Sequence, residues 1–467
     1  MVNKMPPDLN IRPRILYQVA KAAWEGQLFE RKEEICRLLQ SEFEDKATRR
    51  LVANQIRIAM GLEPNNSEEV INEYDEEALM GMGSEPVVIA NPEACKDCKN
   101  PTCETACPLG AIARDELGRP SIDKNKCAND GYCINACEFG ALAEKSQFVP
   151  LIKMLRQNTH KVYASVAPAF AGQFGANVTA GQLRSSLLKL GFYEVVETAL
   201  YADLITIKEA FEYDEHVKDD EHDFLITSCC CPIWIKLIEN KFPDLAGHIS
   251  PSVSPMIASG RVIKELEPDA KVVFIGPCVA KKSEAQLPDL KGAIDFVLTF
   301  QELSTIFEAA NINPADEPDE ENAVASWGGR VYGRTGGVSA AVGTTLEKLI
   351  PRRAEKFVPV KADGIPDCTK LLDDIRTGKL AANFIEGMAC KGGCVGGPGR
   401  IIPPEQGTVH VNNYGNSSHA HTPVENPQVY SILAKLGHYH EGMPAMTGTS
   451  KIAAILARKL NFNTKHQ

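Results

Sequence analysis

Thr227-Ser228-Cys229-Cys230-Cys231-Pro232, Gly276-Pro277-Cys278-Val279-Ala280-Lys281 and Glu386-Gly387-Met388-Ala389-Cys390-Lys391-Gly392-Gly393-Cys394 are three cysteine turns separated by long stretches of chain. A site made from their thiols has to be assembled by the fold. Thiolates are soft ligands, and a set gathered from distant segments suits an iron–sulfur cluster or zinc better than a disulfide framework. Two of the turns follow short apolar runs, Phe224-Leu225-Ile226 and Val272-Val273-Phe274-Ile275. A third run, Val162-Tyr163-Ala164-Ser165-Val166-Ala167, comes earlier, and helical stretches at 179–190 and 233–241 lie between such runs. The alternation predicts α/β layering with largely parallel strands. Open sheets of this kind place their sites at the carboxyl ends of strands, where these turns fall.

The chain has 467 residues, room for about three domains at roughly 150 residues each. Hydrophobic residues make up 44% and charged residues 24%, as in a soluble globular protein with a buried core. A net charge of -11 argues against nucleic acid or an anionic membrane as partner. No apolar run approaches the roughly 18–20 residues of a membrane span. Met1-Val2-Asn3-Lys4-Met5-Pro6-Pro7 carries no signal-type apolar core and no twin arginine. The 15 cysteines are therefore expected to be reduced, with ligand and redox roles, in a soluble cytoplasmic protein of an anaerobic setting.

Residues 1–62 read as an N-terminal helical segment, with Ile15, Leu16, Val19, Ala22, Ala23 and Leu28 near helical spacing. Cys36 there reads as a buried structural thiol. Residues 63–86 are acidic and interrupted by Pro64 and Gly81, which suits a linker. Residues 87–148 form a cysteine-rich module, residues 149–425 carry the three turns, and 426–467 read as a C-terminal helical tail. The acidic stretch Asn313 to Glu321 reads as a solvated loop, and His410, His419, His421, His438 and His440 as scattered surface histidines. There is no strict GxGxxG and no P-loop pattern to support a nucleotide site.

Within the module, Cys95-x2-Cys98-x4-Cys103-x3-Cys107-Pro108 is followed by Cys127-x5-Cys133-x3-Cys137. This is the spacing of a ferredoxin of the bacterial two-cluster type, in which the fourth cysteine of each run ligates the other cluster. By that swap, one 4Fe–4S cluster takes Cys95, Cys98, Cys103 and Cys137. The second takes Cys107, Cys127, Cys133 and Asp130, which stands where the second ligand of its run is expected; Glu138 replaces the usual proline. Asp130 either ligates the fourth iron through oxygen, leaves a three-iron cluster, or leaves that iron to solvent. A four-iron cluster with Asp130 as ligand or near-ligand is the reading adopted, and the Cys-Pro ending disfavours zinc.

The three turns also resemble the signature motifs of the [FeFe]-hydrogenase family. The resemblance runs over roughly residues 87–425 and includes Val166-Ala167-Pro168-Ala169, Ala202-Asp203-Leu204 and Tyr332-Gly333-Arg334-Thr335-Gly336-Gly337-Val338. It implies an α/β, multidomain fold: a two-lobed catalytic domain with mixed and parallel sheets, preceded by the ferredoxin-like domain and the helical segment. It implies an H-cluster, a cubane held by Cys231, Cys278, Cys390 and Cys394, with Cys394 bridging to a two-iron subsite carrying CO, cyanide and an amine dithiolate. The implied activity is the reversible conversion of protons and electrons to H2. Electrons would pass through the ferredoxin-type clusters to a ferredoxin or similar small carrier, and maturation proteins would build the two-iron subsite. Lys281 is placed to put an ammonium on an anionic ligand of that subsite. Cys230 matches the family's relay thiol, and Glu209 and Glu212, three apart on one helix face, match its carboxylate–hydroxyl chain together with Ser250.

Several positions depart from the family pattern. Cys229 is an additional cysteine, which predicts a more mobile first turn. Gly276 stands in place of a methionine, Leu287 of an arginine and Ser339 of a second methionine. The chain therefore resembles a divergent branch. A low-turnover H2 or redox sensor, and a non-catalytic iron–sulfur assembly relative, are the alternatives to an enzyme. Retention of all four cluster cysteines favours the enzyme.

Overall fold

The computed structural model describes residues 11–42, 48–65, 67–72, 75, 79, 87–95, 98, 100–116, 118–137, 140–218, 223–227, 230–320, 324–438 and 446–459. Cys229, Glu138, Gly81, Glu321 and His440 lie outside these.

The N-terminal segment forms helices Ile11–Glu25, Leu28–Glu42 and Arg49–Ala59. The first packs on helices Phe148–Gln157 and Phe300–Ala309, so Ile15, Leu16 and Val19 enter the same core as the half that carries the three cysteine turns. Cys36 is buried, and burial pushes its thiol up. The described part of the acidic stretch is docked rather than loose. Val70, Ile71 and Leu79 are buried, and Asp75 forms a buried ion pair with Arg57. Arg57 also donates to the Glu63 and Val70 carbonyls. Acidic composition concealed this anchoring because its counter-charge lies on the preceding helix.

In the cysteine-rich module, strand Val88–Ala90 pairs antiparallel with Leu142–Glu144, and Ile112–Arg114 with Pro120–Ile122. Two short helices, Thr102–Ala106 and Tyr132–Ala136, pack on each other.

The half that carries the three cysteine turns is built on two parallel sheets. The four-stranded sheet runs Glu194–Glu197, Val162–Val166, Lys271–Ile275, Phe296–Leu298. The three-stranded sheet runs Pro359–Asp363, Phe384–Met388, Leu225–Ile226. Helix Pro255–Leu266 covers the first and helix Gly337–Leu349 the second, and helix Thr198–His216 packs between these two helices. That bridging position explains why every residue from Thr198 to Ala210 is buried. All three cysteine turns follow strand ends: Cys230 and Cys231 after Leu225–Ile226, Cys278 after Lys271–Ile275, Cys390 after Phe384–Met388. The last strand carries Glu386 and Gly387 inside a short apolar run, which hid it in the sequence.

The tail docks by strand-like contacts. Val253 N donates to Leu456 O and Arg458 N to Pro251 O, both at 2.8 Å, closing over Ser252. The acidic 313–320 stretch is likewise pinned, by Glu317 to Lys189 and Glu320 to Arg184. His438 is buried and so is not a surface histidine, whereas His421 is exposed, its ring stacked on Trp327. Among the described residues no helix is long and apolar enough to cross a membrane.

Candidate functional site

The ends of both sheets bring Cys231, Cys278, Cys390 and Cys394 into one another's electrostatic field. Burial pushes every one of these thiols up, Cys278 to about 12 and Cys394 to about 11. Cys231 is the common neighbour, raising the other three further. Lys281 acts in the opposite sense on Cys231, Cys278 and Cys394. Four mutually repelling soft donors in a dry site are stabilised as thiolates only by a cationic core, which is the chemistry of a metal cluster. Among the described residues no three His, Cys, Asp or Glu side chains stand close enough to share one metal ion.

The Cys390–Cys394 turn is held from below by Tyr332 to Val338. Thr335 N donates to Gly392 O at 3.1 Å, and Asp363 accepts from Gly392 N at 2.6 Å and Thr335 Oγ1 at 2.7 Å. Gly393 has φ +87°, and a Cβ there would lie 2.5 Å from Thr335 N, so only glycine allows this approach. Glu386, in the strand leading to the turn, is buried and accepts from Gly336 N at 2.7 Å and from Ser339 N and Oγ at 2.8 and 2.6 Å. Ser339 thus replaces methionine packing with hydrogen bonds to a buried carboxylate. At Gly276 the Phe274 ring occupies the space a side chain would need, 2.7 Å from an added Cβ.

Lys281 is buried and ion-paired to Glu284 at 2.5 Å. Burial pulls its ammonium down, but Glu284, Cys278 and Cys230 more than offset this and hold it above its ordinary value. Glu284 Oε1 is buried without a hydrogen-bond partner. The ammonium is therefore paired with the Glu284 carboxylate and lies in the field of the thiol site.

Glu209, Glu212 and Ser250 are all buried. Ser250 Oγ donates to Glu212 Oε2 at 2.6 Å, and Thr227 Oγ1 to Glu209 Oε2 at 2.7 Å. Thr227 belongs to the first cysteine turn, so Glu209 is tied to that turn directly. Residues that sequence reasoning passed over complete the group. Lys208 forms an ion pair with Glu212, and its Nζ donates to Ser252 Oγ at 2.9 Å. The signal for Lys208 was a lysine in an apolar helix four residues before a glutamate.

In the cysteine-rich module a small pocket is lined by Cys95, Cys98, Cys103 and Cys137, with Thr102 and Arg114 beside them. Cys133 is pushed up by burial first, then by Asp130, Cys127 and Cys107. Asp130 is itself pushed up to about 6 by burial, although Tyr132 N donates to it at 2.9 Å. The two runs fold alike: Ala111 N donates to Cys107 Sγ and Ala141 N to Cys137 Sγ, each at 3.2 Å.

Comparison with known proteins places this architecture. The family described as "Iron only hydrogenase large subunit, C-terminal domain" matches residues 160–398, just over half the chain. The large subunit of the periplasmic [Fe] hydrogenase of Nitratidesulfovibrio vulgaris is 32% identical over 354 residues, 65% of this chain and 84% of that protein. The NADP-reducing hydrogenase subunit HndD of Solidesulfovibrio fructosivorans is 28% identical over 389 residues; the match covers 69% of this chain but only 66% of that longer protein. A solved [FeFe]-hydrogenase from Chlamydomonas reinhardtii superimposes with a TM-score of 0.55 at 25% identity, covering 67% of this chain and 98% of the other. A cytosolic Fe-S cluster assembly factor of Xenopus tropicalis is a more distant relative, 23% identical over 392 residues. By its motifs, fold and family match, this chain belongs to the iron-only hydrogenase family.

Proposed function

We propose that the chain is a [FeFe]-hydrogenase that interconverts H2 with two protons and two electrons, at an H-cluster held by Cys231, Cys278, Cys390 and Cys394. The observation that carries this reading is the gathering of those four thiols, from three strand ends, beside Lys281 and Cys230. The donor set is all sulfur, and the glycines of the last turn bring backbone close to whatever the thiolates hold. When bound, the H-cluster supplies the metal site at which the H–H bond forms or breaks and a cubane that exchanges electrons.

The chain's own residues handle charge around it. Cys230 holds and releases a proton at Sγ. Glu209, fixed by Thr227, and Glu212, fixed by Ser250 and Ser252, carry protons along helix Thr198–His216. Preorganised donors of this kind lower the cost of each transfer because nothing has to rotate into place. Lys281 with Glu284 keeps a fixed charge next to the thiols. Cys95, Cys98, Cys103 and Cys137 hold one ferredoxin-type cluster, and Cys107, Cys127, Cys133 and Asp130 a second, as the electron route to a small carrier such as ferredoxin in the cytoplasm. Maturation proteins supply the two-iron subsite.

A second reading follows from the assembly-factor relative: an iron–sulfur protein without turnover. Production with and without the maturation proteins, followed by anaerobic assay of H2 evolution from a reduced viologen, separates the two. The hydrogenase reading expects turnover only after maturation, and its loss in Cys394→Ser. Full iron content with no turnover after maturation favours the assembly role.

A further inference from the structure

Ser250 and Ser252, which hold the Glu212 carboxyl, belong to an extended segment that lies between two others. On one side it runs beside the strand that leads into the first cysteine turn. Ile249 pairs in parallel with Ile226, and Ser250 N donates to Ile226 O at 2.9 Å. On the other side it meets the C-terminal tail. Ser252 pairs antiparallel with Ala457, Val253 N donates to Leu456 O, and Arg458 N donates to Pro251 O. The three-stranded sheet is thus prolonged by 249–253 and then by the tail.

Side chains alternate along an extended segment, so residues two apart share a face. Ser250 and Ser252 both face helix Thr198–His216. Ser250 Oγ donates to Glu212 Oε2 at 2.6 Å, and Ser252 Oγ reaches both Glu212 oxygens while accepting from Lys208 Nζ. Ser252 N donates to Ser250 Oγ at 3.2 Å, which ties the two serines together. A slip of one residue along the tail would turn both hydroxyls away from the helix.

Arg261, in helix Pro255–Leu266, fastens the tail. Its Nη1 donates to Ile455 O at 3.0 Å and to Ala457 O at 2.6 Å, and its Nη2 to Asp289 O at 2.8 Å. The two tail carbonyls flank Leu456, whose own carbonyl takes the Val253 N–H. Lys451 adds an ion pair with Glu265 of the same helix at 2.5 Å, and Ile452 and Leu456 are buried. A planar guanidinium fork can grip carbonyls on two segments at once, which a point-charge ammonium on a flexible stem does less well.

We propose that the C-terminal segment 450–458 is a working part of the proton route, holding Ser250 and Ser252 in register against Glu212, and that Arg261 is the positioning residue that fastens it. This rests on the hydrogenase reading and its proton route given above. The family match ends at residue 398, so the segment lies outside the matched part of the chain. The tail bonds to the backbone of 251–253, so its effect on the route is one of placement.

The test compares the full wild-type chain with Arg261→Leu and Arg261→Lys. Hydrogen–deuterium exchange on the anaerobic chain without the two-iron subsite reads the tail's hold with no turnover needed. The amides of 250–253 and 456–458 should exchange faster in Arg261→Leu and at an intermediate rate in Arg261→Lys, while those of Val162–Val166 stay protected. In the matured chain, turnover with reduced viologen should fall by about 10- to 100-fold in Arg261→Leu. The solvent isotope effect should grow, the KM for viologen should stay unchanged, and Arg261→Lys should recover part of the loss. Unchanged exchange at 250–253 overturns the fastening role of Arg261. Faster exchange with turnover unchanged or raised, or a fall in turnover with an unaltered isotope effect, overturns the positioning of the route. If Arg261→Leu fails to fold, Arg261→Lys carries the same comparison. A matured wild type without turnover overturns the hydrogenase reading, and the route with it, while the exchange data still report whether the tail is fastened by Arg261.

Discussion

Lys208 and Glu212 lie one turn apart on helix Thr198–His216 and form an ion pair sealed from solvent at both ends, with side-chain exposures of 5% and 3%. Ser252 Oγ accepts from Lys208 and reaches both Glu212 oxygens at 3.1 and 3.2 Å, and Ser250 supplies a further donor. The Glu212 carboxyl is therefore enclosed by the Lys208 side chain and two serine hydroxyls.

Removing one partner of a buried pair strands the other. Lys208→Met should destabilise the chain by about 3–5 kcal/mol, while Lys208→Met combined with Glu212→Leu should recover most of the loss. Chemical denaturation of Lys208→Met, Glu212→Leu and the double variant measures the coupling. A double variant as unstable as the sum of the singles would show that the pair is not coupled.

Ser250→Ala deletes the shortest hydroxyl contact to Glu212 without touching a thiol. Turnover in the matured chain should fall by roughly 10²–10⁴-fold, with a larger solvent isotope effect and unchanged iron content. Turnover within twofold of wild type would remove Ser250 from the proton route.

Gly276→Met restores the residue expected from the family pattern but drives its side chain into Phe274. Overpacking of this kind costs about 1–3 kcal/mol. Thermal unfolding should show the loss, and Phe274→Ala in the same chain should relieve part of it. A neutral Gly276→Met would mean that Phe274 moves aside freely.

Asp203 predicts a pH dependence. It is fully buried and pushed up to about 6 by burial, even though Ser326 and Asn426 donate to it. Its folded value lies above its unfolded value, so the folded chain binds the extra proton between about pH 4 and pH 6. Stability from this group is greatest below pH 4 and declines by about 3 kcal/mol as pH rises through 6. Asp203→Asn should flatten that decline in unfolding curves taken from pH 4 to 7. An unchanged slope would show that the three donors keep the carboxylate ionised.

Much of the fold was legible because its signals are local. The runs at 162–167, 224–226 and 272–275 are strands within a residue or two, since each is short, apolar and β-branched. The strand Phe384–Met388 was not, because its central glutamate is satisfied by Ser339 and Gly336 from another element. The four thiols were legible from motif alone. Their surroundings were not: Lys208, Ser252, Asp363 and Arg261 act through partners distant in sequence, except for the Lys208–Glu212 spacing. The departures at Gly276 and Ser339 could be seen as missing methionines. What fills their places, the Phe274 ring and the Glu386 hydrogen bonds, depends on tertiary packing.

The central claim is that Cys231, Cys278, Cys390 and Cys394 together hold an H-cluster. An infrared spectrum of the chain co-produced with maturation proteins, kept anaerobic, tests it most directly. The account predicts bands in the CO and cyanide region for wild type that disappear in Cys394→Ala. A featureless spectrum from a chain carrying its full complement of iron would contradict it.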